Sequence, residues 1–374
     1  MLIWIGHSVP RDAFTPETVR GWIKFCADLG ISTIFWRGTY VGKALYHSKV
    51  VPVMRQLPTG YFAKQGKTGE AWEKTLPSFN RTAELALAFD SLDVAIEEAH
   101  KRGLRIYGDL PLFDMFFPGL ENDYFDARPG LWLKSRDQQT HWRGLPCYAE
   151  PGAIDYRVAE VKELVDRGVD GISYYLESHA AGGGGPEPDS FAFNPPIVAA
   201  YEKEHGVNIL EEDFDPARLH ALNGRFFTNL LRRMREAIGP NKRLVPEITT
   251  HDYMGYGGAG GSQIMSRFMA GGPVTQPPAY RFDLEWQKWI GQGIADDLLV
   301  FAPLPNAVAE VQQAIRSKLK KGCVFLARET NQPKYLDDFK RELDAIRAGA
   351  LDGYVIDELK DYLNPDSPFR KLLE

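Results

Sequence analysis

Residues 155–177 read DYRVAEVKELVDRGVDGISYYLE. The first part reads as a helix that stops at Gly168, and the rest as an apolar strand that begins almost at once. The strand runs into a carboxylate, Glu177, then His179, then four glycines at 182–185. An apolar run without alternation is what a strand buried on both faces requires, and this points to a parallel sheet covered by helices.

The same unit repeats on both sides. Upstream, LIWIGH is a strand, and the following helix has Thr15 as N-cap, Pro16 at its first position and Gly30 as its stop. ISTIFWRG is the second strand. A helix capped by Asp90 or Ser91 and ended by Gly103 leads to the third, LRIYGDLPLFD. Downstream, PPIVAAYEKEHG and the long helix from Pro216 lead to KRLVPEITT, the fifth strand. FDLEWQKWIGQG reads as the helix before DDLLVFAPL, and two more units bring CVFLARETN and LDGYVIDEL. Eight strand-then-helix units with no break in composition predict an α/β fold, a (β/α)8 TIM barrel, as one domain over residues 1–374. Long insertions fall at 38–89, 111–155 and 178–195, all at the C-terminal mouth of such a barrel. An open doubly wound sheet would want a glycine-rich phosphate loop after the first strand, and GHSVPRDAF is not one.

Composition narrows the function classes. The 374 residues are 44% hydrophobic and 25% charged, with net charge -6 and no basic run, so no nucleic-acid footprint is expected. Aromatics reach 12%, which suits a ligand that stacks on rings, such as a sugar, and equally suits a large core. Three scattered cysteines make neither a disulfide framework nor a metal spacing. No apolar run is long enough to span a membrane, so no membrane partner is expected. The opening lacks a basic n-region and a full h-region, so the chain as written reads as cytoplasmic. A leader outside it, hence secretion or a periplasmic address, is compatible with the same residues. Oligomeric state is not readable.

Barrel geometry would gather the polar residues just past each strand. These are His7; Trp36, Arg37 and Tyr40; Asp109 and Asp114; Glu177 and His179; Glu247, His251 and Asp252; Asn306; Arg328, Glu329 and Asn331; Asp357 and Glu358. A lone carboxylate at a strand end is usually a cap or a salt-bridge partner. Three glutamates, Glu177, Glu247 and Glu329, beside histidine and arginine suit paired-carboxylate chemistry. One, kept protonated, donates to a leaving oxygen, and the other attacks a sugar carbon or activates water. Arg37 or Arg328 would hold one of them ionised. Trp36, Tyr40, Tyr174 and Tyr175 would form a stacking floor or fill the core, and Tyr174 reads as core. His7, Asp109, His251, Glu247 and Glu329 would alternatively make a mixed O/N metal site, though no HxH or HExxH spacing supports one. No GxSxG elbow supports a serine hydrolase. The expected site therefore has Glu177, Glu329 and Glu247 as catalytic groups. His7, Trp36, Arg37, Tyr40, Asp109, Tyr175, His179, His251, Arg328 and Glu358 are expected to bind a carbohydrate, with no cofactor and no metal.

Several segments resemble a known family. FDSLDVAIEEAHKRGLRIYGDL (89–110) and YAEPGAIDYRVAEVKELVDRGVDGI (148–172) look like the third- and fourth-strand units of a glycosyl-hydrolase-like, family-ten-like TIM-barrel family, distantly related to the α-amylases. LYHSKVVP (45–52) resembles its element after strand two, and AYEKEHGVN (200–208) its helix after strand four. The resemblance covers about residues 1–250 and implies a barrel acting on glycosidic bonds. Amylase-like barrels have DG-x-x-x-D on strand four with the last Asp as nucleophile, and here that position is Tyr175. Glu177 lies two residues on, on the same face of an extended strand. Glu247 in LVPEITT matches the amylase acid. The other large group of retaining barrels has its acid/base glutamate after strand four and its nucleophile after strand seven, which Glu177 and Glu329 would fit. The expected roles are Glu177 as acid/base and Glu329 as nucleophile, with Glu247 as the substitute partner. The exchange to Tyr175 also leaves room for a catalytically inactive carbohydrate-binding barrel.

Overall fold

The computed structural model describes residues 2–5, 14–64, 70–115, 122–176, 187–250, 252–256, 278–301, 307–329, 335–357 and 359–374. Its centre is a curled sheet of parallel strands. These are β1 (Leu2–Ile5), β2 (Thr33–Trp36), β3 (Arg105–Pro111), β4 (Gly171–Tyr175), β5 (Arg243–Thr249), β6 (Leu298–Phe301), β7 (Val324–Glu329) and β8 (Gly353–Asp357). Each pairs with its neighbours in sequence, and β1 pairs with both β2 and β8. Most linking helices have both ends written in the sequence. In α1 (Pro16–Asp28) Thr15 and Thr18 form a reciprocal capping box behind Pro16. In α2 (Ser91–Lys101) the Asp90 carboxylate accepts the N–H groups of Leu92 and Asp93 at 3.1 Å each, a cap worth about 1 kcal/mol. α3 (Pro151–Arg167) ends on Gly168 at φ 107°, a left-handed conformation that glycine adopts without strain. α4 (Pro195–His205) and the long α5 (Pro216–Ile238) fill the crossover from β4 to β5.

Alternation along the strands decides which side chains face the barrel interior. Gly171 pairs with Tyr107, and a Cβ there would sit 3.0 Å from the Tyr107 ring and 2.8 Å from the Arg243 carbonyl. A Cβ at Gly108, one residue along, would instead sit 2.7 Å from Leu164 of α3. Residues 107, 109, 171, 173 and 175 therefore face inward, and 108 and 174 face the helices. Gly108 lets Leu164 seat fully, and burying such a side chain is worth about 1.5–3 kcal/mol. Tyr174 packs its ring edge-on against Phe227 of α5, 5.8 Å away at 88°, which is the core position read from the sequence.

The insertions have their own structure. Residues 38–89 form a hairpin (Thr39–Tyr40 with Lys43–Ala44), a short helix (Tyr61–Lys64) and a helix at Glu70–Ala88. Residues 111–155 carry a hairpin of Trp132–Lys134 and His141–Pro146. One expectation is corrected. The helix predicted from Phe282 begins only at Trp286, because Tyr280–Asp283 is a strand paired with Tyr253–Tyr256. Tyr280 and Phe282 are buried while Arg281 and Asp283 are half-buried, the period of two that a strand imposes. Among the described residues no helix is long and apolar enough to cross a membrane.

Candidate functional site

The carboxyl ends of β2, β3, β4 and β5 bring four predicted site residues together. Arg37, just past β2, donates from Nε to Asp109 Oδ2 at 3.5 Å, and both are almost fully buried, 6% and 2% exposed. The Arg37 guanidinium also lies 3.6 Å from the centroid of the Tyr175 ring. A buried cation on a ring face, with a carboxylate at its edge, is a strong arrangement once water is excluded. Position 175 is thus filled by a ring under a guanidinium.

Glu247 is also buried, 1% exposed. Its Oε1 accepts the N–H of Leu176 at 3.0 Å, and the Tyr256 hydroxyl donates to the Leu176 carbonyl. Both polar groups of the residue that precedes Glu177 are thereby held, one by a carboxylate and one by a phenol. Burial first, then the charge of Glu247, push the Tyr256 hydroxyl well above its ordinary range, so it remains a proton donor. Tyr256 itself is wedged against Phe113 (5.0 Å) and stacked on Tyr280 (6.4 Å, 16°). No sequence signal marked Tyr256, because it acts through a backbone carbonyl of a distant strand. Tyr256→Phe removes only the hydroxyl. The bared carbonyl should cost about 1–3 kcal/mol of stability. Urea unfolding checks this; an unchanged midpoint would show that the Tyr256 hydroxyl does not hold the strand exit.

The loop that leaves β3 is anchored from below. Arg157 of α3 donates to the Pro111 and Leu112 carbonyls and, at 2.6 Å, to Glu160 Oε2. Tyr148 donates to the Leu112 carbonyl. Arg157 and Glu160 are 1% and 0% exposed.

Other predicted residues are placed differently. Trp36 has the opposite parity to Phe35, whose ring meets Tyr107 edge-on at 5.5 Å. It turns outward, 2% exposed, and stacks on Phe14 at 6.2 Å, so it offers no ring face to the mouth. Tyr40 lies in the first hairpin, half-buried. Asp114 is buried beside the anchored β3 loop, and Asp252 is exposed just before the Tyr253–Tyr256 strand. His7, Glu177, His179, His251, Asn306, Asn331 and Glu358 lie outside the described residues. Arg328, Glu329 and Asp357 are described as backbone positions, with Glu329 the last residue of β7. Among the described residues no group of three or more His, Cys, Asp or Glu could hold a metal ion. Burial pushes the thiol of Cys147 up to about 12 and that of Cys323 up to about 11, so neither supplies a thiolate at neutral pH.

No family model matches the sequence, and no curated protein sequence matches it significantly. Solved structures do match. The catalytic domain of the β-amylase from Paenibacillus polymyxa aligns over 95% of this chain and 91% of its own, at 9% identity and a TM-score of 0.52. An inactive mutant of a GH20 exo-β-N-acetylglucosaminidase from Vibrio harveyi aligns over all of this chain at 12% identity and a TM-score of 0.48, and this chain spans 53% of its length. These neighbours are glycoside hydrolases, and at such identities the likeness is one of fold.

Proposed function

We propose that the chain is a (β/α)8 TIM-barrel glycoside hydrolase that cleaves an oligo- or polysaccharide with paired carboxylates. The observation that carries this reading is the position of the glutamates. Glu247 lies in the carboxyl-terminal half of β5 and Glu329 is the last residue of β7, with β6 between these strands in the sheet, and in the sequence Glu177 comes two residues after the end of β4. Strands sit about 4.8 Å apart, so Glu247 lies about one spacing from the end of β4 and about two from Glu329, separations of the order that paired-carboxylate catalysis uses; Glu177 and Glu329, three spacings apart along the sheet, would meet only through its curl. The described neighbours support a division of roles. Glu247, whose oxygen already holds the Leu176 N–H, orients the exit of β4 and serves as the alternative partner; Glu177 acts as acid/base and Glu329 as nucleophile. Arg37, Asp109 and Tyr175 support the sugar from beneath, with His7, Tyr40, His179, His251, Arg328 and Glu358 around the rim. The second reading, a carbohydrate-binding barrel without turnover, draws on the Arg37–Tyr175 stack at the amylase nucleophile position.

The test is product release from a panel of oligo- and polysaccharides, before and after exhaustive chelation. Release that survives chelation is expected. Sugar binding with no product from any member of the panel would favour the second reading. Activity that chelation abolishes would point to metal-dependent sugar chemistry instead.

A further inference from the structure

The β2 insertion encloses a cavity of about 190 Å³, lined by Lys43, Arg55, Leu57, Tyr61, Phe79 and Asp123 among others. Its walls are fixed independently of any ligand. The Lys43–Ala44 strand continues into a backbone bridge, with Ala44 N–H on the Pro52 carbonyl and Met54 N–H on the Ala44 carbonyl, both 2.9 Å. The Asn80 amide grips both backbone groups of Leu57, at 2.7 and 2.8 Å. Asn122 caps the helix that begins at Asp123 and also donates to the Gly42 carbonyl at 3.5 Å. Gly42, at φ 79°, lies so close to Met115 that a Cβ would come within 2.6 Å of its carbonyl oxygen. The two loops are thus locked together around the cavity.

Its lining has an unusual balance. Phe79 gives a buried apolar floor and Tyr61 a half-buried ring. Arg55 and Asp123 are exposed, opposite in charge and line the same space, yet among the described residues neither side chain has an ion-pair or hydrogen-bond partner. A rigid cavity that holds a guanidinium and a carboxylate apart, over apolar and aromatic walls, matches the surface of a neutral sugar ring. Ring hydroxyls accept from the guanidinium and donate to the carboxylate, while the C–H face lies on the ring and apolar side chains. We propose that this cavity is an accessory subsite for one neutral hexose unit of the substrate, separate from the carboxylates of the barrel mouth. The proposal rests on the carbohydrate reading given above and extends it.

The test uses the intact chain and three probes that need no turnover: D-glucose, D-galactose and N-acetyl-D-glucosamine, followed by ligand-observed NMR. At least one should bind, and Arg55→Ala and Asp123→Asn should each weaken it about tenfold, the loss of one charge-assisted hydrogen bond. Both sites are exposed, so unfolding midpoints should not move. On a short aryl glycoside Arg55→Ala should turn over like the wild type, whereas on a long oligosaccharide its KM should rise about tenfold at constant kcat. If no probe binds, or if binding is unchanged in both folded variants, the subsite is wrong even when hydrolysis is found. If hydrolysis is never found but both variants lose hexose binding, the subsite stands and the hydrolase reading falls.

Discussion

Glu177→Gln should lower turnover about a thousandfold while the protein stays folded, because general acid–base catalysis contributes about 10²–10⁴ and an amide can neither give nor take the proton. The two partners should separate in the same experiment. Glu329→Gln should match this loss if Glu329 is the nucleophile. Glu247→Gln keeps an oxygen that accepts the Leu176 N–H, so a loss of only tenfold or so would mark it as an orienting group. A loss as deep as that of Glu177→Gln, with Glu329→Gln near wild type, would transfer the partner role to Glu247. Retained turnover in Glu177→Gln on the same substrate would remove the proposed mechanism altogether. Circular dichroism and the urea midpoint establish that each variant is folded.

The second large effect is on stability. Arg157→Met strips a fully buried glutamate of its counter-charge and the Pro111 and Leu112 carbonyls of a donor. Breaking a buried pair by removing one member costs about 3–5 kcal/mol. It should also change how stability responds to pH. Burial already raises the Glu160 carboxyl above its ordinary value of 4.5, and Arg157 works against that rise. Without the arginine the folded-state value climbs further. The folded state then binds more protons than the unfolded chain in the window above 4.5, so stability falls as pH rises. The gap between variant and wild type should therefore be narrower at pH 5 than at pH 8, by urea unfolding at each. A gap that is constant with pH would mean that Glu160 does not carry the cost. Arg157→Met with Glu160→Leu should recover most of the loss if packing is kept.

Much of the fold was legible because start and stop signals coincide with real ends. Thr15–Pro16, Asp90 and Gly168 mark helix termini that the structure reproduces, and strands follow directly on the helix ends. The 253–256/280–283 hairpin was not legible, since its two strands lie far apart in sequence and its second strand adjoins a helical pattern. Among site residues, the convergence of Arg37, Asp109, Tyr175 and Glu247 follows from strand position alone. Of the two readings open for Trp36, its outward face fits core filling, since nearness to a strand end does not say which face a side chain takes and pairing with Gly108 does. Nothing local in the helix sequence marks Arg157 and Glu160, an i,i+3 pair, as buried. What buries them is the loop after β3, which no local pattern predicts.

The stack of Arg37 on Tyr175, with Asp109 at the guanidinium edge, couples three positions to one another. An aspartate placed at position 175 would find a guanidinium already shared with Asp109, and would crowd a second carboxylate into a closed space while leaving the volume of a phenol unfilled. A carboxylate at position 175 is therefore not one tolerated substitution away. Exchange at any one of positions 37, 109 and 175 needs matched changes at the other two, so the three side chains behave as one unit.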